Sequence, residues 1–164
     1  MTPAKRPRHA PETPRPAPKN ARKGKGSAPR PAPVTWATAR WELLDGGVLF
    51  TMPEPERVNA IWRRVGRRTI VSAKHRQDKQ EAPLAFARAV PVDGDVWVSI
   101  HWHRARRAGD VDGRIKAALD LLTGVAYHDD AQVAALEVRR IDDVSEAARI
   151  EVLVRPMPTT WGGV

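Results

Sequence analysis

The sequence predicts an α+β fold, a two-layer sandwich of a mixed β-sheet with helices packed on one side, preceded by a disordered basic arm. Residues 95–103 alternate apolar and other side chains with a period of two, which is typical of a strand. Residues 112–122 switch to helical spacing, and residues 133–140 and 148–154 have the composition of two further strands. Because strands and helices are interspersed along the chain, we expect the helices to form one layer on the sheet.

Residues 1–34 are predicted to form the disordered basic arm. They contain nine of the fifteen prolines, nine lysine or arginine residues and a single acidic residue, Glu12. They contain almost no large apolar side chain, so they cannot bury enough surface to offset chain entropy. The arm carries +8 of the net charge of +9, and the rest of the chain is nearly neutral. Two interpretations stay open, an electrostatic tether for nucleic acid and a solvated tail.

The composition limits the classes of protein that the chain can belong to. Its 164 residues give room for one domain, residues 35–156, between the arm and a C-terminal tail of residues 157–164. The absence of cysteine excludes disulfides and thiolate metal sites. No apolar run approaches the roughly 18–20 residues of a membrane span, and the basic start of the chain lacks the apolar stretch of a secretory signal. We therefore expect a soluble, cytoplasmic protein.

The first elements of the domain are predicted to be extended. Residues 48–52 form an apolar run that Gly46 and Gly47 introduce and that Pro53 ends, as expected for a strand. Residues 58–65 lead into a turn at Gly66, and the β-branched residues 69–71 follow. This pattern indicates a hairpin or an extended loop, flanked by arginines.

A charged helix is predicted next. Ser72 occupies a cap position, and residues 73–81 are compatible with a helix. Pro83 is expected to interrupt this helix or to start a second piece. The strand over residues 95–103 follows, with one face directed to the core.

An acidic cluster lies where this strand gives way to the next helix. Asp110 and Asp112 flank Val111, and residues two apart in an extended chain project to the same side about 6.6 Å apart. Lys116 lies one helical turn, about 5.4 Å, beyond Asp112. We therefore expect the two carboxylates and the lysine to face one site, and Asp112 also stands where a helix cap belongs.

A second acidic pair, Asp129 and Asp130, precedes the next predicted strand, and we expect at least one of the two to return to the same end of the sheet. Carboxylates held close together repel one another unless a cation is bound, and oxygen ligands without thiolates favour Mg²⁺ or Mn²⁺. The cluster therefore suits metal-assisted hydrolysis of phosphodiesters, with Lys116 at the phosphate. A structural interpretation also stands, with Asp112 as a helix cap, an ion pair between Lys116 and Asp120, and loop acids.

The two segments of this cluster resemble the signature of RusA-type crossover junction endodeoxyribonucleases, a family of Holliday junction resolvases. The segments are DVDGRIKAALD at residues 110–120 and HDDAQV at residues 128–133. The resemblance implies a Mg²⁺-dependent endonuclease that resolves four-way junctions or related branched DNA by paired nicks, as a homodimer, in DNA recombination and repair. Carried over by position, it implies that Asp110, Asp112 and Asp130 hold the metal ion and that Lys116 supports catalysis.

A weaker likeness covers residues 50–77, so that the resemblance spans roughly residues 46–154. It implies a basic loop that contacts DNA. The candidates for DNA contacts, including two arginines just before the acidic cluster, are Arg64, Arg67, Arg68, Lys74, Arg106 and Arg107. Two positions depart from the family pattern, because Gly113 stands where Asn is common and Gly109 where Pro or a basic residue is common. The proposed metal ligands are intact.

Two alternative functions stay open from the sequence. In the first, the chain is a non-catalytic DNA-binding protein that grips phosphates with the basic arm and the Arg63–Arg68 loop, while its acids are structural. In the second, His101 and His103 on one strand, with His128, hold a transition metal for another hydrolysis. The tryptophans could stack on bases, although Trp102 shares the apolar strand face and is predicted to be core.

Overall fold

The computed structural model describes residues 31–104, 110–142 and 145–158. Residues 1–30 of the predicted arm, the DNA-contact candidates Arg106 and Arg107, Gly109 and the tail beyond residue 158 lie outside these ranges. The described strands are β1 (Arg40–Leu44), β2 (Gly47–Met52), β3 (Trp62–Val65), β4 (Arg68–Val71), β5 (Val96–His103), β6 (Val133–Ile141) and β7 (Arg149–Pro156). The described helices are α1 (Val58–Ile61), α2 (Ala73–Ala85) and α3 (Asp112–Leu122), and short 3-10 turns cover Trp36–Thr38 and Asp130–Gln132.

The main sheet is mixed, as the sequence predicts. Its order is β1-β2-β7-β5-β6, and β3 and β4 form a separate two-stranded sheet. The neighbouring strands of the main sheet pair antiparallel except for β5 and β6, which are parallel. A parallel pair requires a crossover connection, and α3 lies within that connection. The antiparallel β3–β4 pair confirms the predicted hairpin around Gly66.

The core lies between one face of the main sheet and helices α2 and α3. The strand register aligns Phe50 with Val152 and Val152 with Ile100, so a buried row crosses β2, β7 and β5. Ala82 of α2 and Leu122 of α3 belong to the same buried cluster. Burying a Val, Ile or Phe side chain stabilises the fold by about 1.5–3 kcal/mol, so this cluster holds the sheet and its helices as one unit.

Strand β1 is an element that the sequence pattern did not predict. Trp41 is its one partly buried residue, and Leu43 is 74% exposed, so this edge strand has almost no core-facing pattern. It forms a hairpin with β2 through Asp45 and Gly46, and Gly46 adopts a φ of +71°. Asp-Gly between two strands is a strong hairpin signal because glycine tolerates positive φ. This dipeptide was therefore the available sign of β1.

The helices differ from the predictions at two points. Pro83 lies within the last turn of α2 and neither ends nor divides the helix. Helix α3 begins at Asp112 as predicted, but Val111 occupies the cap position, so the expected cap role of Asp112 is wrong. The prediction for Ser72 is confirmed, because its Oγ accepts a hydrogen bond from the backbone N of His75 at 3.0 Å. In the described part of the chain, no helix is long and apolar enough to cross a membrane.

Candidate functional site

Helix α3 carries two of the predicted site residues on successive turns. Asp112 is its first residue, and Lys116 follows about one turn, 5.4 Å, later. Both are exposed, whereas another side of the helix buries Ala118 and Leu122 in the core. Asp110 is also exposed and lies two residues before the helix. The apolar side of α3 therefore determines which side chains are presented to solvent.

Lys116 lies between two carboxylates. Its Nζ is 3.3 Å from Oδ1 of Asp120, one turn later on α3, and 3.9 Å from Oδ2 of Asp130. The side chains of Lys116 and Asp130 are 66% and 52% exposed, and that of Asp120 is 25% exposed. The structure thus brings Lys116 and Asp130 together, and it also contains the Lys116–Asp120 pair of the structural interpretation.

The expectation that Asp130 returns to the same sheet end as the other two aspartates is wrong. Because β5 and β6 are parallel, residues that follow β5 and residues that precede β6 lie at opposite ends of the sheet. Hydrogen bonds from Gln132 to two carbonyls just before β5 place the Asp130 turn at the starting end of that strand. Asp130 therefore reaches the candidate site along the flank of α3, beside Lys116, and not at the strand ends.

The chemistry of the predicted metal ligands fits Mg²⁺ or Mn²⁺, but their arrangement is dispersed. Asp110, Asp112 and Asp130 offer exposed carboxylate oxygens, which are the donors that these ions prefer. Within residues 31–104, 110–142 and 145–158, no three carboxylate, histidine or cysteine residues are gathered as a metal site. The three aspartates are instead distributed along α3, and the ammonium of Lys116 lies next to Asp130.

Tyr127 is buried close to the carboxylates that flank Lys116. Its hydroxyl donates a hydrogen bond to the carbonyl of Leu119 in α3, at 2.8 Å. Burial, reinforced by the negative charges of Asp130 and Asp120, raises the pKa of Tyr127 well above its ordinary value. The phenol therefore stays protonated at neutral pH and remains bonded to the helix.

Gln132 fixes the turn that carries Asp130. Its Oε1 accepts hydrogen bonds from the backbone N atoms of His128 and Asp129, at 2.7 and 3.0 Å, and its Nε2 donates to two carbonyls just before β5, at 3.1 and 2.6 Å. The Asp129 carboxylate in turn accepts from the backbone N of Ala131 at 2.8 Å. Sequence reasoning missed this role of Gln132, although an Asp followed three residues later by Gln is the pattern of a capping box.

Gln132→Glu tests this turn. The substitution keeps the shape of the side chain but replaces the amide donor by an acceptor, so two carbonyls lose their partner and face a carboxylate. We expect the free energy of unfolding, measured by urea denaturation, to fall by about 1–3 kcal/mol. Gln77→Glu, at an exposed position of α2, is the matched control and should change stability by less than about 0.5 kcal/mol. Equal stability of the two variants would show that Gln132 does not hold the turn.

Arg114 anchors the start of α3 to the segment between β2 and α1. Its guanidinium donates to the carbonyl of Pro55, lies 3.5 Å from the carboxylate of Glu54 and stands 5.3 Å from the ring centroid of Trp102. Trp102 is 3% exposed, as predicted for a core residue, and its Nε1 donates to Glu54 at 2.6 Å. Burial, partly opposed by the charge of Glu54, lowers the pKa of Arg114. These contacts hold the end of α3 that carries Asp112 against β5.

The described candidates for DNA contacts fall into two groups. Lys74 pairs with Asp78 at 2.8 Å, and Asp78 also accepts a hydrogen bond from Nε1 of Trp36, so this lysine has a structural partner. The other group lies exposed on the hairpin and consists of Arg64, Arg67 and Arg68. None of these three arginines forms an ion pair with a carboxylate in the described part of the chain. The hairpin arginines are therefore the stronger phosphate-binding candidates.

Two of the three histidines of the alternative metal site, His103 and His128, have separate carboxylate partners. Nε2 of the buried His103 is 3.1 Å from Glu151, whereas Nε2 of His128 is 2.9 Å from Asp93. Burial opposes ionisation of Glu151, but hydrogen bonds and charges from Arg149 and His103 outweigh it and lower the pKa of Glu151. His103 thus belongs to an ion-pair network on β5 and β7, and the structure gives the transition-metal interpretation no support.

Comparison with protein families finds a match over most of the domain. A family model described as Endodeoxyribonuclease RusA matches residues 53–155. The matched range is more than half of the 164-residue chain, and it includes the hairpin, α3 and the turn that carries Asp130. A comparison with curated proteins found no match.

Proposed function

Since the chain belongs to the RusA endodeoxyribonuclease family, whose nucleases act on Holliday junctions, we propose that it resolves Holliday junctions or related branched DNA by paired nicks. The observation that carries the proposal is the arrangement on α3. Asp112 and Lys116 lie on successive turns, and Asp130 is 3.9 Å from Lys116, all within the matched range. Carboxylates beside a cation are suited to hydrolysis of a phosphodiester.

From their positions in the family signature, we propose Asp110, Asp112 and Asp130 as the residues that hold Mg²⁺, with Mn²⁺ as an alternative ion. Their dispersed carboxylates would have to converge on the ion when it binds. Such an ion, when bound, supplies charge stabilisation at the phosphate and lowers the pKa of a bound water. Lys116 is assigned to contact the scissile phosphate, because its side chain is 66% exposed and its present partners are two carboxylates of the same surface.

The hairpin arginines and a second protomer complete the proposal. Three exposed guanidinium groups on β3, β4 and their turn offer charge-assisted hydrogen bonds to DNA phosphates. Two equivalent nicks in a substrate with two-fold symmetry suit a protein with two-fold symmetry, so we propose a homodimer. The cellular role that follows is in DNA recombination and repair.

A synthetic four-way junction, labelled on each strand in turn, tests the proposed activity. With Mg²⁺ or Mn²⁺ we expect nicks in two opposing strands, and a linear duplex of the same sequence is the control substrate. If the protein binds the junction but nicks no strand with either ion over a range of pH, the enzymatic proposal fails. The chain would then be a DNA-binding protein that uses its basic arm and hairpin.

Replacing Arg64, Arg67 and Arg68 together by alanine tests the DNA contacts of the hairpin. Each lost phosphate contact should make the slope of log K against log salt less steep by about 0.9, so we expect a change of up to about 2.7 for the triple variant. The measurement is junction binding at several salt concentrations. Arg139→Ala, at another exposed arginine, which lies 3.5 Å from Glu137, is the control. An unchanged slope in the triple variant would place the DNA elsewhere on the protein.

A further inference from the structure

A cleft of about 440 Å³ lies between the hairpin, α2 and α3, beside the candidate site. Its volume is within the range of about 300–1,000 Å³ that is typical of ligand pockets. The lining comes from α1, both strands of the hairpin, α2 and α3, and it includes Ile61, Trp62, Val71, His75, Lys116 and Asp120. The residue proposed to contact the scissile phosphate thus also borders a cavity that the proposed nicking reaction does not use.

Trp62 presents an aromatic ring to this cleft. It is the first residue of β3 and is 59% exposed, although tryptophan is on average highly buried in folded proteins. Its backbone pairs with Val71 across the hairpin, so the strand pair sets the position of the side chain. An exposed aromatic ring beside cations is the kind of platform on which unpaired bases stack.

His75 contributes a buried polar atom without a partner. The residue is 5% exposed, its backbone N donates to Ser72, and its Nδ1 has no hydrogen-bond partner in the described part of the chain. Buried polar atoms are almost always hydrogen-bonded, because an unpaired one loses its hydration without compensation. His75 lines the cleft, and because its Nδ1 is shielded from solvent, the residue forms part of the wall behind a bound base.

Three cations border the same cleft, Arg76 and Lys79 of α2 and Lys116 of α3. We propose that the cleft binds one unpaired nucleotide of the branched DNA, with its base on Trp62 and its phosphate near Arg76 and Lys79. The inference rests on the proposed function, because the nucleotide belongs to the same DNA substrate. Taking a base out of the helical stack costs least where pairing is already disturbed, as it is at a branch point.

An abasic scan of the junction, combined with Trp62→Ala, tests the cleft. In each DNA, one nucleotide near the branch point loses its base and keeps its phosphate, and dissociation constants are measured with Ca²⁺ in place of Mg²⁺. For the wild type we expect a position at which losing the base weakens binding at least about fivefold, the lower end of what one stacked base contributes. For Trp62→Ala we expect the intact junction and the junction that is abasic at this position to have the same dissociation constant.

Val65→Ala is the matched control, because Val65 is also 59% exposed on β3 but does not line the cleft. It should keep the wild-type response to the abasic position, and Trp62→Phe should keep part of it. The proposal is overturned if no position of the scan shows a base effect, or if Trp62→Ala shows the same effect as the wild type.

Nicking of the intact junction by the wild type, in Mg²⁺ and in Mn²⁺, is measured separately. Nicking without a base effect overturns the cleft as a nucleotide site and leaves the nuclease proposal standing. A base effect that depends on Trp62, without nicking, supports the cleft and overturns the proposed nuclease activity.

Discussion

Asp112→Asn is expected to reduce nicking of a four-way junction by about 10³-fold or more, because a metal ion contributes several kcal/mol of transition-state stabilisation and each 1.36 kcal/mol is a factor of ten. Asparagine keeps the shape of the side chain and removes its charge. Asp112 is exposed, so the fold should tolerate the change, and the lost negative charge at the start of α3 costs only about 0.3–1 kcal/mol of stability. Single-turnover nicking at saturating protein measures the effect, and thermal unfolding checks the fold.

Asp130→Asn and Asp120→Asn form a matched pair for the assignment of the metal ligands. Both carboxylates flank Lys116, and Asp120 is the closer of the two, at 3.3 Å against 3.9 Å. Proximity to Lys116 alone would therefore favour Asp120, whereas the position in the family signature favours Asp130. We expect Asp130→Asn to lose as much nicking as Asp112→Asn, and Asp120→Asn to lose less than about tenfold.

The outcomes of this series separate three arrangements. If Asp120→Asn loses more nicking activity than Asp130→Asn, Asp120 of α3 and not Asp130 is the metal ligand. Wild-type nicking by Asp130→Asn and Asp120→Asn, with full loss in Asp110→Asn and Asp112→Asn, would confine the site to the start of the helix. Wild-type nicking by all four variants, with Mg²⁺ and with Mn²⁺, would show that none of these carboxylates is essential.

The sequence predicted those parts of the fold that depend on local patterns. The apolar spacing over residues 112–122 predicted the bounds of α3, because this signal lies within the helix itself. The alternation over residues 95–103 likewise predicted β5 within one residue. Strand β1 was not predicted, because an edge strand that buries few side chains has no such alternation. Its Asp-Gly turn was the remaining sign of it in the sequence.

The relation between the carboxylates could not be predicted, because it depends on pairing between distant strands. Asp110 and Asp130 belong to one βαβ unit, and whether they share an end of the sheet follows from the relative direction of β5 and β6. A pattern of apolar residues does not encode that direction. The parallel pairing places them at opposite ends, and Asp130 instead lies 3.9 Å from Lys116, one turn after the start of α3.

Of the two residues that hold the site in place, Arg114 could not be identified from sequence patterns. Arg114 is separated by about 60 residues from its partners Glu54 and Pro55, and by 12 residues from Trp102. Nothing in the local sequence distinguishes it from a solvated helix arginine. Gln132 differs, because its contact with Asp129 is local and its spacing is that of a capping box.

Lys116→Met is expected to reduce nicking by about 10²–10³-fold, the loss that follows removal of one group that stabilises charge in a transition state. Methionine retains the unbranched apolar stem and removes the ammonium. Stability should change by less than about 1 kcal/mol, because the Lys116 side chain is 66% exposed and exposed ion pairs contribute little. Single-turnover rates at saturating protein separate this effect from weaker DNA binding. Loss of one phosphate contact should also make the slope of log K against log salt less steep by about one.

The conservative variant Lys116→Arg distinguishes a phosphate contact from a purely electrostatic role. If Lys116 acts only by offsetting the repulsion between the carboxylates of Asp120 and Asp130, arginine carries the same charge and should restore nicking to near the wild-type rate. If the ammonium contacts the scissile phosphate at one point, the broader, planar guanidinium places its charge differently, and the rate should recover only in part. Nicking by Lys116→Met within about tenfold of the wild-type rate would contradict both roles. Lys116 would then be an exposed member of an ion-pair cluster, as its 3.3 Å contact with Asp120 alone would suggest.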